Sequence, residues 1–174
     1  MLAERTPARH HGAMMPDKWC SAELYESFMG RWSRALAAEV VTWLDPPPGL
    51  RWLDVGCGTG ALSAAVLAGA DPVSLAGVDP ADAYVARAAS GVTDPRATFQ
   101  VGQAGALPVR DTSVDRVVSG LVLNFVPDAG GALNEMRRVL VPGGVAAAYV
   151  WDYAEGMMML RTARAHAVVG TSTS

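Results

Sequence analysis

The stretch Leu53-Asp-Val-Gly-Cys-Gly-Thr-Gly60 limits what this chain can fold into more than any other. The apolar run Leu50–Val55 reads as a short strand. Three glycines at alternate positions follow at once, and then a small-residue helix pattern over Thr59–Ala68. A strand that passes through a tight glycine loop straight into a helix is the first half of a βαβ unit. The rest of the chain keeps the alternation. Strand patterns recur at Val73–Val78, Ala97–Val101, Val114–Ser119 and Val145–Trp151, with helix patterns at Ala81–Ala89 and Asp128–Leu140. Alternation of this kind implies right-handed crossovers and a parallel sheet covered by helices on both faces. The expected fold is therefore α/β, a doubly wound sheet of five parallel strands.

The flanks are organised differently. Residues 1–16 mix proline, glycine, histidine and charge without a period, and are expected to be a disordered N-terminus. Residues 17–46 read as an N-terminal helical cap. Leu24, Phe28, Trp32, Leu36, Val40 and Leu44 recur every four residues, a spacing expected to stay mostly on one helix face, and Gly30 is expected to divide the cap into two helices. Asp45-Pro-Pro-Pro-Gly49 ends it, because proline cannot continue a helix. Residues 50–152 form the core. Residues 153–174 read as one more helix, Glu155–Val169, and a polar tail.

Composition removes several functional classes. A chain of 174 residues with 51% hydrophobic and 18% charged residues has enough apolar mass for one packed domain. A net charge of −3 leaves no basic footprint for a phosphate backbone, so no nucleic-acid partner is expected. Cys20 and Cys57 are distant from one another, and His10, His11 and His166 sit near the ends. Neither set has metal-ligand spacing, and no metal site is expected. The N-terminus carries no apolar run of signal-peptide length. The longest apolar run, Val139–Val150, is interrupted by Pro142, Gly143 and Gly144 and is too short for a bilayer. A cytoplasmic protein with no membrane association is expected.

The glycine loop carries the chemistry. In an open parallel sheet, ligands bind beyond the carboxyl ends of the strands, where the strand order reverses. Gly56–Gly60 lies at that point. Glycine lets the backbone turn sharply and lets a ligand approach it closely. Thr59 is positioned to cap the following helix, whose free N–H groups favour a negative or electron-rich group. Asp54 sits inside the strand, where a buried acid is costly without a partner. Asp79 ends the second strand in Val78-Asp-Pro80. It can accept the two hydroxyls of a ribose, or it can cap the helix at Ala81, and both readings stay open. The spacing Gly56-x-Gly58-x-x-Ala61 also satisfies the relaxed dinucleotide fingerprint, so a pyrophosphate ligand stays open too.

Taken together, these segments resemble the class I S-adenosylmethionine-dependent methyltransferases, and within them the small-molecule enzymes related to the ubiquinone/menaquinone-biosynthesis methyltransferases. The resemblance covers roughly residues 19–159. It rests on Leu53–Gly60, on Val78-Asp-Pro80, on Phe99–Pro108, on Asp115–Val126, on the Leu140-Val-Pro-Gly-Gly144 turn and on the cap segment Tyr25–Ser33. It implies a Rossmann-like core that binds S-adenosyl-L-methionine and passes a methyl group to a small-molecule acceptor. It further implies that Gly56, Cys57, Gly58 and Gly60 pass under the methionine and ribose. Asp54 would fix the loop and help with the ammonium, and Asp79 and Pro80 would sit at the ribose. Gln103 and Ala104 would lie at the adenine, with Ser119, Gly120 and Leu121 on the floor near the sulfonium. Tyr25 and Arg31 would reach in from the cap. No catalytic acid or base is assigned. Cys57 reads as packing, and Asn124 and Asp128 as candidate contacts to the acceptor.

Two departures from the family pattern stand out. Gln103 occupies a position where the family carries an acid, which should weaken the adenine hydrogen bond by about 1–2 kcal/mol. The family's antiparallel sixth and seventh strands find no counterpart in the sequence, so the C-terminus looks truncated. The fifth strand is then expected to be a bare apolar edge that promotes self-association. The competing functional classes are a cofactor-binding domain without turnover and, more weakly, an NAD-dependent oxidoreductase.

Overall fold

The computed structural model describes residues 22–150 and 165–168, with side chains over residues 32–150. The expected disorder of residues 1–16 lies outside the described residues. Of the expected helix Glu155–Val169, residues 155–164 and 169 lie outside the described residues too, and Ala165–Val168 is a strand instead.

The core is the expected doubly wound sheet. Five parallel strands, β1 (Arg51–Val55), β2 (Ser74–Asp79), β3 (Ala97–Val101), β4 (Val114–Gly120) and β5 (Leu140–Tyr149), lie in the order β3-β2-β1-β4-β5. The order reverses between β1 and β4. Four α-helices flank the sheet: α1 (Ala22–Leu44), α2 (Ala61–Gly69), α3 (Asp82–Gly91) and α4 (Ala129–Val139). A short 3₁₀ turn, Leu123–Phe125, precedes α4.

Each face of β1 feeds its own core, because side chains alternate across a strand. Trp52 packs with Leu62 and Val66 of α2 and with Ala37, Val40 and Val41 of α1. Leu53 and Val55 face the other way, with Met136 and Val139 of α4 and Leu107 of the loop after β3. Trp52, Leu53 and Val55 are all essentially sealed from solvent. Such continuous burial is the mark of a central parallel strand.

Three expectations are corrected. α1 is one continuous helix through Gly30, not two. Its buried face runs through Ser33, Ala37, Val40 and Val41, whereas Trp32 is 47% exposed. Leu36, Val40 and Leu44 of the expected row do pack against the core; a four-residue spacing advances 40° beyond a full turn at each step, so Trp32, the first member with a described side chain, lies off the buried face. The third correction concerns the sheet edge. A sixth strand, β6 (Ala165–Val168), pairs antiparallel with β5 from Ala146↔Val168 to Tyr149↔Ala165. β5 is therefore not a bare edge over these residues. The sequence hides this strand because Ala-His-Ala-Val is only four residues long and has one β-branched member, so it blends into a helical pattern. Among the described residues no helix is long and apolar enough to cross a membrane.

Candidate functional site

The glycine loop is folded against the tip of β2. The N–H groups of Gly56 and Cys57 both donate to the Val78 carbonyl, at 2.7 and 3.0 Å. Gly56 has φ +75°, and a Cβ there would stand 2.5 Å from both methyls of Val122 in the loop after β4. So Gly56 is required twice, by conformation and by the approach of Val122. Gly58 differs. It has φ +52°, and nothing lies within 4 Å of where its Cβ would be. The space above Gly58 is open to a ligand. Gly60, with φ +90°, is the N-cap of α2, in place of the expected Thr59. Cys57 is buried, and burial pushes its thiol pKa well up. This fits packing and argues against a nucleophile.

Two carboxylates converge behind this loop. Asp79 lies at the carboxyl end of β2. Its Oδ2 accepts from Gly58 N–H and its Oδ1 from Ala81 N–H, both at 3.0 Å. The carboxylate thus holds the turn into α3 through Ala81 N–H, close to the expected capping role although the N-cap itself is Ala81, and it also braces the glycine loop. Each oxygen keeps a second lone-pair direction. Burial raises the Asp79 pKa, and the two backbone N–H groups oppose that rise.

Asp54 is 1% exposed. Its Oδ2 accepts from the Ser63 hydroxyl of α2 at 2.7 Å. Its Oδ1 is buried without a partner. Desolvation pushes its pKa up to about 7; the Ser63 hydrogen bond works against this, and the neighbouring Asp79 charge adds to it. The hydrogen bonds to Asp54 and Asp79 come from a hydroxyl and from backbone N–H groups. Asp54 ties β1 to α2 and does not touch the glycine N–H groups. The Ser63 partner was missed in the sequence; the signal was a polar residue on the inward face of an otherwise apolar helix.

The floor forms at the switch point. Ser119 is fully buried, and its hydroxyl donates to the Val55 carbonyl at 2.8 Å, fixing the end of β1. Leu121 is buried with φ +61°, and its N–H donates to the Tyr149 carbonyl of β5. A Cβ on Gly120 would collide with the Tyr149 hydroxyl. Tyr149 was not singled out in the sequence, yet its ring covers the floor at Gly120. Gln103 and Ala104 lie in a tight turn closed by Ala106 N–H on the Gln103 carbonyl, beyond the end of β3. Pro80 is exposed between Asp79 and α3. Asp128 caps α4 through Gly131 N–H at 2.8 Å, and Asn124 is exposed on the 3₁₀ turn. Tyr25 and Arg31 lie on α1, and their side chains fall outside the described residues. No group of three His, Cys, Asp or Glu residues suited to a metal occurs among the described residues.

A profile of the methyltransferase-domain family matches residues 53–148, from the aspartate-bearing end of β1 to β5. This chain belongs to the methyltransferase-domain family. The ubiquinone/menaquinone biosynthesis C-methyltransferase UbiE of Acidiphilium cryptum is 35% identical over 139 residues, covering 70% of this chain and 55% of that protein. The chain spans about half the length of such relatives. Among solved structures, a chain of the Haloferax volcanii complex that contains the Trm112 methyltransferase activator superposes with a TM-score of 0.68 at 26% identity. That match covers 76% of this chain and 58% of that one. The [4+2]-cyclase SpnF superposes with a TM-score of 0.59 at 29% identity, over 69% of this chain and 44% of that one. Family membership thus fixes the fold and the glycine-loop architecture, while structural neighbours are named for more than one reaction.

Proposed function

We propose that this chain carries the cofactor-binding core of an S-adenosyl-L-methionine-dependent methyltransferase acting on a small-molecule acceptor. The observation that carries the reading is the pair of acids at the carboxyl edge. Asp79 is braced by two backbone N–H groups, each of its oxygens with acceptor capacity to spare, and Asp54 keeps a buried oxygen without a partner. The open space over Gly58 adjoins them. A ligand with a vicinal diol and a positive charge answers both acids, and S-adenosylmethionine has both. A pyrophosphate does not, since it would bring negative charge towards two carboxyls. That favours the methyl donor over a nicotinamide dinucleotide.

When bound, S-adenosylmethionine supplies a methyl already activated on a sulfonium. The chain's own residues then need only bind, align and exclude water. Asp79 holds a diol through its free lone pairs. Leu121, Val122 and the Tyr149 ring close the floor beside the loop. The relative named for quinone biosynthesis makes an electron-rich ring the first acceptor class to try.

The test is calorimetric titration of the chain with S-adenosylmethionine and S-adenosylhomocysteine, with NADH in parallel and Asp79→Ala as control. Binding of the first two but not NADH, weakened in the control, supports the reading. Tight NADH binding, or no binding by a folded chain, overturns it.

A further inference from the structure

The loop between β3 and β4, residues 102–113, runs from the carboxyl edge of the sheet back to its amino edge. Its lower half is fastened to α4 by two side chains. The Arg138 guanidinium donates to the carbonyls of Leu107 (3.1 Å) and Val109 (2.9 Å), to Asp111, and through Nε and Nη2 to Glu135 at 2.7 Å each. Glu135 Oε2 in turn accepts from Leu107 N–H at 2.8 Å. Leu107 is thereby gripped at both its N–H and its carbonyl, and its side chain is buried.

The grip reaches the site through the next residue. Pro108 lies so close over Gly102 that a Cβ there would stand 2.7 Å from its ring, with Val78 at 2.9 Å on the other side. Gly102 N–H donates to the Asp79 carbonyl, and the Gln100 side chain donates to the Pro108 carbonyl. The path runs from α4 through Leu107 and Pro108 to Gly102, and from there to the backbone of Asp79. The turn of Gln103 and Ala104 lies between the two fastened points.

We propose that Arg138 and Glu135 are positioning residues that set the Gly102–Pro108 segment as the adenine-side wall of the cofactor site, although neither touches the cofactor. The proposal rests on the S-adenosylmethionine reading above. A planar guanidinium with five donors can hold two carbonyls and two carboxylates at once, which lysine cannot. Arg96 provides an internal control. It makes a similar clasp with Asp94, Asp71 and the Pro72 carbonyl, at the start of β3 and away from the glycine loop.

The experiment compares Arg138→Gln, Glu135→Gln and Arg96→Gln with the parent chain. Two quantities are read: amide hydrogen exchange of residues 102–108 without ligand, and titration with S-adenosylmethionine and with 5′-methylthioadenosine, which lacks the amino-acid half. Arg138→Gln is expected to speed exchange of 102–106 and to weaken both ligands by about the same factor, roughly tenfold. Glu135→Gln should give a smaller change in the same sense, and keeps the test alive if Arg138→Gln does not fold. Arg96→Gln should lower thermal stability and leave both affinities unchanged. Unchanged exchange and affinities in a destabilised Arg138→Gln would reduce the clasp to a structural tie and overturn the proposal. A parent chain that is folded but binds neither ligand would overturn the cofactor reading instead, and the positioning role with it.

Discussion

The two edges of the sheet treat their carboxylates in opposite ways. At the amino edge Asp71, Asp94, Asp111, Asp115 and Glu135 each pair with a guanidinium. Arg51 at the start of β1 pairs with Asp115, Arg96 with Asp94 and Asp71, and Arg138 with Glu135 and Asp111. These partners hold the pKa values of Asp94, Asp115 and Glu135 below the usual carboxylate range. At the carboxyl edge Asp54 and Asp79 are held by a hydroxyl and by backbone N–H groups, and burial drives both pKa values up. The amino edge is electrostatically finished. The carboxyl edge keeps two buried carboxyl groups, one with an oxygen lacking a hydrogen-bond partner, next to an open glycine loop. A cationic ligand at that edge would complete there what the arginines complete at the other.

The largest effect that probes this contrast concerns backbone. Gly56 at the carboxyl edge and Gly143 in the irregular stretch of β5 near the amino edge have φ +75° and +79°. Only Gly56 is crowded, whereas nothing lies within 4 Å of a Cβ at Gly143. Gly143→Ala should cost about 1–2 kcal/mol for the left-handed conformation. Gly56→Ala adds a collision with Val122 and should cost roughly 3 kcal/mol or more. Urea unfolding of both variants checks this, and equal losses would remove the claim that the carboxyl edge is sterically set.

Next comes pH. The folded chain keeps a proton on Asp54 up to about pH 7, while the unfolded chain gives it up near the ordinary carboxylate value. Between those points the folded state binds more protons. The ligand-free chain should therefore lose stability as pH rises from 4 to 7, by a few kcal/mol from this group alone. Asp54→Asn should remove most of that slope and leave the smaller, like-signed part from Asp79. A parent chain whose stability is flat over this range would count against a neutral Asp54.

A smaller effect is expected on the ligand side. Asp79→Ala deletes the acceptor of two backbone N–H groups and, on the proposed cofactor reading, of two ligand hydroxyls. Affinity for S-adenosylmethionine should fall by roughly thirtyfold, about 2 kcal/mol. The smallest effect belongs to the amino edge. Asp115→Asn removes a half-exposed ion pair, so Tm should drop only slightly. The Asp115 pKa is lowered by Arg51, so the pair's contribution is present at neutral pH and disappears as pH falls through the depressed value.

Most of the core was legible in the sequence because parallel strands buried on both faces leave unbroken apolar runs, and because the glycine loop has no other economical use. The site acids were legible by position: Asp54 is an acid inside such a run and Asp79 ends one. Their partners were not. Val122, Tyr149 and Arg138 act from elements far along the chain, and Ser63, though only nine residues from Asp54, sits in an otherwise apolar helix pattern that does not mark it as a partner. The drift of the cap helix was hidden by a four-residue rhythm that only approximates a helix face. The sixth strand escaped because its pairing with β5, not its own composition, makes it a strand.

The most direct test of an edge awaiting a cation is proton release on binding. The chain is titrated with S-adenosylmethionine at pH 7 in two buffers of different ionisation enthalpy, and Asp54→Asn is treated in the same way. Positive charge arriving beside Asp54 must lower its pKa, so binding should expel a substantial fraction of one proton from the parent chain and little from the variant. Binding with no proton release from the parent chain, or equal release from both, would contradict the account.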